Sequence, residues 1–229
     1  MIGIIGAMHV EVALLKEAMQ EPQTEVVSGV AFCRGYLGGQ PVVLAQCGVG
    51  KVFAALCAQT MVLRYGVSRL VVSGISGSLD KDLHIGDVVI ATACVQHDMD
   101  TSPVGDPVGM VSGINRIFFE TDRSMVRSFE AVCREKKIPY KLGIVATGDQ
   151  FVASRERGRR IVETFGAVTA EMESGAVAQV AFVNRLPYAV IRVISDEADG
   201  RSPDDFSNFV SHSAQKSSKI LLDWLKTLS

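Results

Sequence analysis

The stretch GVAFCRGYLGGQPVVLAQ, residues 29–46, holds two strand-length apolar runs, Gly29 to Leu37 and Pro41 to Gln46, separated by Gly38-Gly39. Adjacent glycines supply the positive φ angles of a tight hairpin, so the two runs are expected to pair antiparallel. Elsewhere the chain alternates strand-length apolar runs with helical periodicity, the pattern of parallel βαβ units. A hairpin inside such a chain calls for a sheet of mixed direction and weakens a plain Rossmann reading.

Working outward, Ile2 to Ala7 reads as a strand, and Val10, Ala13, Leu14, Leu15 and Met19 at helical spacing read as the helix after it. Val49 to Leu63 is a helix, Leu70 to Gly74 a buried strand, and Asp87 to Gln96 a strand with partial alternation. The second half repeats the theme: helix Arg123 to Lys136, strand Leu142 to Thr147, helix Arg155 to Thr164, strand Ala167 to Glu171, helix Glu173 to Asn184 and strand Tyr188 to Ser195. Ser202 as cap, Pro203 in the first turn, and Asp204 and Asp205 at the positive end open a last helix. Its expected buried stripe is Phe206, Phe209, Val210, Ile220, Leu221, Trp224 and Leu225. His97 to Phe118 is the longest irregular stretch. The expected architecture is α/β, a three-layer αβα sandwich with a mixed central sheet, in a single domain over residues 1–229; no repeat or linker divides it.

With 229 residues and 48% hydrophobic content the chain can bury one large core. Its 23 basic and 25 acidic residues leave no electrostatic footprint for nucleic acid or an anionic membrane, which directs attention to small-molecule chemistry. Cys33, Cys47, Cys57, Cys94 and Cys133 are odd in number and lie in apolar stretches, which suits reduced thiols. The first residues lack a basic n-region, and Glu11 interrupts the apolar run, so a cytoplasmic location is expected.

Three motifs fail on inspection. Gly48-Val49-Gly50-Lys51 hints at a phosphate loop, but Ala45 stands at the earlier glycine position and Val52 replaces the metal-binding hydroxyl. Gly74-Ile75-Ser76-Gly77-Ser78 nearly spells a nucleophile elbow, yet its last position is Ser78 and no histidine is placed to activate the serine. His97-Asp98-Met99-Asp100 offers metal-type ligands, but closed zinc sites draw on more ligands and thiolates, and a structured polar loop is the plainer reading. No metal or cofactor is called for.

Acidic residues at strand ends remain: Glu11 after the first strand, Glu171-Met172-Glu173 between a strand and a helix, and Asp196 after the strand Ala189 to Ile194. Taken singly, each reads as a carboxylate satisfying a helix start or a free amide. Their weight lies in the constellation, because open α/β sheets place ligands at strand ends and all three can converge there.

In these residues the chain resembles methylthioadenosine/S-adenosylhomocysteine nucleosidases, a branch of the purine nucleoside phosphorylase superfamily. The resemblance runs nearly end to end through Gly3-Ile4-Ile5-Gly6-Ala7-Met8 with Glu11, Gly48-Val49-Gly50-Lys51-Val52, Thr147-Gly148-Asp149-Gln150-Phe151-Val152, Glu171-Met172-Glu173 and Arg192-Val193-Ile194-Ser195-Asp196-Glu197-Ala198-Asp199. It implies a purine nucleoside phosphorylase-like fold and hydrolysis of an adenine–ribose bond. Such cleavage builds positive charge on the sugar and negative charge on the leaving base.

The resemblance implies Asp196 as the acid that protonates adenine N7, held by Ser195, and Glu11 as the base that activates water on the opposite face of the ribose, with inversion at the anomeric carbon. Glu173 would bind the ribose hydroxyls, with Arg192 orienting the acids. Phe151 would pack on adenine and the backbone of Val152 read its edge. Met172 and Phe206 would line the sugar and an apolar 5′-substituent. Met8, Val49 and Ser76 complete the implied substrate contacts. The sequence departs from the family pattern at Ile75 before Ser76-Gly77-Ser78, and Thr101 to Met110 lacks the aromatic side chain often found near the 5′-pocket. A homodimer follows from the resemblance. Rival readings on the same fold are a phosphorylase, which needs converging arginines for phosphate, and a catalytically silent binder of adenine nucleosides.

Overall fold

The computed structural model describes residues 1–199 and 202–228, without the side chains of Ser202 and Pro203. Strand β1 (Ile2–Gly6) leads into helix α1 (His9–Ala18), followed by β2 (Gln20–Val27). The predicted hairpin is formed by β3 (Val30–Leu37) and β4 (Gln40–Gln46), with Gly38 and Gly39 at φ of 56° and 80° and Leu37 opposite Gln40. β4 then pairs parallel with β1, which makes the sheet mixed. Helix α2 (Lys51–Tyr65) and strands β5 (Arg69–Ser78) and β6 (Val88–Gln96) complete the first half. The irregular segment expected from residue 97 onward holds a 3-10 turn at Ser102–Val104 and a single bridge between Val111 and Arg116. Then come β7 (Phe119–Glu120), α3 (Arg123–Glu135), β8 (Tyr140–Thr147), α4 (Arg155–Phe165), β9 (Ala167–Glu171), α5 (Ser174–Val183), β10 (Tyr188–Asp196) and α6 (Ser202–Lys226).

Side-chain alternation along the strands builds the three layers. Ile2 and Ile4 of β1 point to the core formed with α1, α3 and α6, and Ile5 points to the core formed with α2 and α5. A third, smaller cluster packs α4 against β8 and β9. Trp224 anchors the first core: fully buried, it stacks on Phe129 with ring centroids 4.5 Å apart and donates from Nε1 to Ser128 Oγ at 3.1 Å.

Strand order is where the molecule departs from an open sheet. β5 pairs parallel with β1 and with β10, β10 antiparallel with β6, β6 parallel with β8, and β8 parallel with β9. β9 returns to β5 antiparallel, Gly77 opposite Ala170 and Ser78 opposite Thr169. Five strands thus close a ring, while β1, β4, β3 and β2 extend from β5 as a wing. Because β5 and β9 run in opposite directions and overlap only at their C-terminal ends, strand ends from both directions face one spot.

Several expectations are corrected. β5 runs four residues past Gly74, because β10 and β9 supply partners there, and it carries Ile75, Ser76 and Gly77 with it. β2 escaped the sequence reading since it is a mostly exposed, polar edge strand containing Pro22, and β7 because two residues show no periodicity. In α6, Phe209 is 40% exposed and Phe206 and Val210 are half-buried, since the first turns project beyond the sheet. The buried stripe is continued instead by Ser213, Ala214, Ser217 and Ser218. These small side chains bring the helix close to the sheet: Ser213 Oγ donates to Ile194 O, Ser218 Oγ to Glu11 O, and the hydroxyls of Ser217 and Ser73 meet, each at 2.9 Å. The expected Ser202 cap and Pro203 contact lie outside the described side chains. No helix among the described residues is long and apolar enough to cross a membrane.

Removing the indole of Trp224 leaves a cavity against Phe129 and an unpaired Ser128 hydroxyl. Trp224→Ala is expected to cost about 3–5 kcal/mol, read as a lowered urea midpoint at unchanged m.

Candidate active site

Arg192 on β10 is 1% exposed and carries a charge that burial alone would penalise heavily. Three carboxylates answer it. Its Nη2 donates to Glu171 Oε2 and lies 3.5 Å from Glu173 Oε2, and its Nη1 lies 3.9 Å from Glu11 Oε1. Nη1 also donates to the Ile75 carbonyl at 3.2 Å and Nη2 to Ser174 Oγ at 2.9 Å. Burial works against the guanidinium, but the negative charge of Glu171, Glu173 and Glu11 raises its pKa, so it stays charged. Three acids thus share one cation, and the cluster is short of positive charge.

Each carboxylate is fixed by backbone amides as well. Glu11 Oε2 accepts from Ala7 N at 2.7 Å and Met8 N at 2.9 Å, and Oε1 accepts from Ile75 N at 3.0 Å. The helix-start role that Glu11 suggests in isolation is therefore real, and the same carboxylate faces the cavity. Glu173 Oε1 accepts from Gly50 N, at the start of α2, at 2.9 Å. Glu171 is the most heavily tied, accepting from Thr147 Oγ1, Ser174 Oγ and the amides of Glu173 and Ser174. Gly74 makes this approach possible: a Cβ there would lie 2.2 Å from Glu11 Oε1 and 2.6 Å from Arg192 Nη1. Burial pushes the Glu11 carboxyl above its ordinary value, with Arg192 and the amides opposing. Burial, followed by the charge of Glu171, pushes Glu173 up to about 7.

Above this cluster lies a cavity of about 130 Å³. Glu11 and Glu173 line one part of it. Asp196, at the end of β10, lines another; its Oδ2 accepts from Ser195 Oγ at 2.9 Å and its Oδ1 from Ala198 N at 3.0 Å. Gly77 leaves room for this carboxylate, since a Cβ there would stand 2.8 Å from Oδ1. Phe151 and the buried Val152 enter from the loop after β8, and Met172 from the β9–α5 junction. Phe206 crosses from α6 to meet Phe151 edge to face, ring centroids 5.7 Å apart. Met8, Val49 and Ser76 also reach the cavity; the Ser76 hydroxyl accepts from Thr169 Oγ1 at 2.6 Å.

The structure thus brings eleven of the twelve expected site residues to one cavity wall and places the twelfth, Arg192, beneath it in contact with the acids. Sequence reasoning quoted Glu171 but gave it no place in the site, and it took Ile75 only as a departure from the family pattern, whereas its amide and carbonyl hold Glu11 and Arg192. The signal for Glu171 was its spacing two residues before Glu173 across a strand end; backbone contacts such as those of Ile75 leave no signal in residue type.

A cavity with a mainly apolar wall, two acids sharing one cation on one side and a separate carboxylate on the other suits a neutral ligand that becomes cationic as it reacts. Residues 1–226 match the model of the phosphorylase superfamily. The chain belongs to the phosphorylase superfamily. Among members of this superfamily, an aminodeoxyfutalosine nucleosidase from Helicobacter pylori (strain J99 / ATCC 700824) is 38% identical over 96% of this chain and 96% of its own length. A 5′-methylthioadenosine/S-adenosylhomocysteine nucleosidase from Staphylococcus carnosus (strain TM300) is 34% identical across 100% of both chains. The crystallised 5′-methylthioadenosine/S-adenosylhomocysteine nucleosidase of S. pneumoniae, bound to a transition-state inhibitor, superposes with a TM-score of 0.95 at 33% identity, covering 100% of this chain and 99% of that one. The fold is that of these nucleosidases, and the protein is an enzyme of their kind, an N-glycosyl hydrolase acting on a nucleoside.

The raised pKa of Glu173 has a stability consequence. The folded state holds this proton more tightly than the unfolded chain, whose carboxyl titrates near 4.5, so its favourable contribution is complete below that value and lost as pH rises through about 7. Glu173→Gln is expected to gain stability relative to the parent between about pH 5 and pH 8; urea unfolding at both pH values, showing a constant difference, would contradict this.

Proposed function

We propose that the protein hydrolyses the N-glycosidic bond of 5′-thio-substituted adenosines, 5′-methylthioadenosine and S-adenosylhomocysteine, releasing adenine and the thioribose. The observation that carries this is the pair of buried carboxylates, Glu11 and Glu173, sharing Arg192 on one side of a cavity whose other side holds Asp196. Asp196 protonates adenine N7, so that the base leaves neutral, and the Ser195 hydroxyl keeps the carboxyl oriented. Glu11, fixed by three amides, aligns and deprotonates the attacking water. Glu173 holds the ribose hydroxyls, and its ionised form, which gains ground as pH rises through about 7, favours the oxocarbenium-like transition state. Phe151 packs on the base beside Val152, and Met8, Val49, Met172, Ser76 and Phe206 surround the sugar and its 5′-arm.

Water is favoured over phosphate because a dianion placed beside Glu11 and Glu173 meets like charge, and Arg192, the arginine beneath the cavity among the described residues, is already committed to three carboxylates. The relative at 38% identity gives aminodeoxyfutalosine as a second candidate for the same chemistry. Five cysteines, all free and all buried, support a reducing, cytoplasmic setting. A homodimer is supported by the exposed apolar side chains of Val52, Phe53, Leu56 and Leu63 on α2, the helix that follows Val49 at the cavity.

Adenine release from the three nucleosides, with and without phosphate, tests the reading: phosphate-independent release with a free sugar product is expected, and a sugar 1-phosphate would overturn it. Asp196→Asn and Glu11→Gln should each lower kcat by about 10²–10⁴-fold while the circular dichroism spectrum is retained; a near-parental rate removes that residue from its role. Sedimentation should return twice the 24.6 kDa chain mass, and Leu56→Asp should return the chain mass itself.

A further inference from the structure

The two motifs that neither phosphate nor metal chemistry explained, Gly48–Lys51 and His97–Asp98, meet beside the cavity. Asp98, on the turn after β6, uses both carboxylate oxygens. Oδ1 pairs with Lys51 Nζ at 2.7 Å, and Oδ2 accepts from the amide of Asp149 at 2.8 Å. The Asp149 carboxylate returns to α2 and accepts from Lys51 N at 2.8 Å. Helix α2 starts at Gly50 with no capping side chain of its own, so its first amides are satisfied from outside: Gly50 N by Glu173 and Lys51 N by Asp149. Gly50 adopts φ 103°, and a Cβ there would stand 3.0 Å from Asp149 Oδ1; a Cβ at Gly148 would stand 2.4 Å from His97 Nε2. At both glycines the backbone is thus packed directly against a side chain of a neighbouring segment, Asp149 at Gly50 and His97 at Gly148.

Each end of this arrangement leads into the site. Through Gly50 it reaches Glu173, on the sugar side; through Asp149 it reaches Gln150, Phe151 and Val152, on the base side. The charged clasp itself does not line the cavity, and the Lys51 and Asp98 side chains are only 20% and 17% exposed, so the pair is less screened than a surface salt bridge.

We infer that Asp98 is a positioning residue: by clasping Lys51 and the Asp149 amide together it sets the spacing between the sugar-holding and base-holding halves of the site, and so the alignment of the glycosidic bond. The inference rests on the nucleosidase reading above for its catalytic consequence, but the clasp can be measured without substrate. A nucleoside spans both halves, whereas free adenine touches one. Misalignment by a fraction of an ångström to 1 Å is worth up to about 10²-fold in rate, while the affinity for adenine alone should hardly change.

Asp98→Ala and Asp98→Asn of the full chain provide the test. Calorimetric titration with adenine counts folded sites, and kcat for 5′-methylthioadenosine is expressed per site. For Asp98→Ala, kcat per site is expected to fall about 10–100-fold, with the adenine dissociation constant within about threefold of the parent. Asp98→Asn, which keeps an acceptor for the Asp149 amide, should fall between alanine and parent. A merely structural role would lower the number of sites and leave kcat per site unchanged, which overturns the inference. Hydrogen exchange of the unliganded protein is the second readout: the segments around Gly50 and Asp149 should lose protection together in Asp98→Ala, and unchanged or independent exchange also overturns it. A parent protein that releases no adenine from any of the nucleosides would fault the substrate reading, and the exchange result would then judge the clasp alone.

Discussion

The buried guanidinium of Arg192 is the charge around which the site is assembled. A lone cation in that position would be intolerable, and so would any of the three carboxylates around it. Together they are mutually necessary, and because they come from α1, the β9–α5 junction and β10, satisfying one group fixes the relation of three chain segments. The arrangement is charge-unbalanced by design of its geometry: one positive group serves three negative ones, and the amides of Ala7, Met8, Ile75 and Gly50 carry part of the remainder. The residual field is directed into the cavity, where a sugar that acquires positive charge as its base departs would feel it most.

The sheet provides the platform for this. In an open parallel sheet, ligand-binding loops come from strands pointing one way. Here the ring of five strands brings the ends of β5 and β10 against those of β8 and β9, and the cavity sits where the two directions meet. Glycine is required twice at that junction, at Gly74 beneath Glu11 and at Gly77 beside Asp196, since the carboxylates occupy the space a side chain would take. The serines of α6 act similarly on the outer face, where Ser213, Ser217 and Ser218 exchange bulk for hydrogen bonds to β10, β5 and α1.

Much of this was legible in the sequence. Alternation of apolar runs with helical periods located six helices and most strands, and Gly38-Gly39 marked the hairpin that makes the sheet mixed. What escaped was governed by partners far away in sequence. β2 has little apolar content because it is an exposed edge, and β5 extends only because β9 and β10 lie alongside. Of the site, the acids carried a signal in their position at strand ends, and the family resemblance grouped them with the aromatic and apolar residues. The roles of the Ile75 and Gly50 backbones were invisible, because any residue type offers an amide. Phe206 carried two readings, core from the α6 stripe and cavity from the resemblance, and it lies half-buried at the cavity: a helix pattern shows which residues share a face, and only the fold shows what that face meets.

Ring closure also sets when in the life of the chain the site can exist. Glu11 precedes its counter-charge by most of the fold, since Arg192 lies on β10, and the Phe206 wall lies further on still. Until β10 leaves the ribosome and inserts between β5 and β6, the early half has a carboxylate, an exposed β5 edge and no cation to satisfy the one or strand to cover the other. Catalytic competence therefore waits for two successive elements, β10 for the counter-charge and α6 for the Phe206 wall.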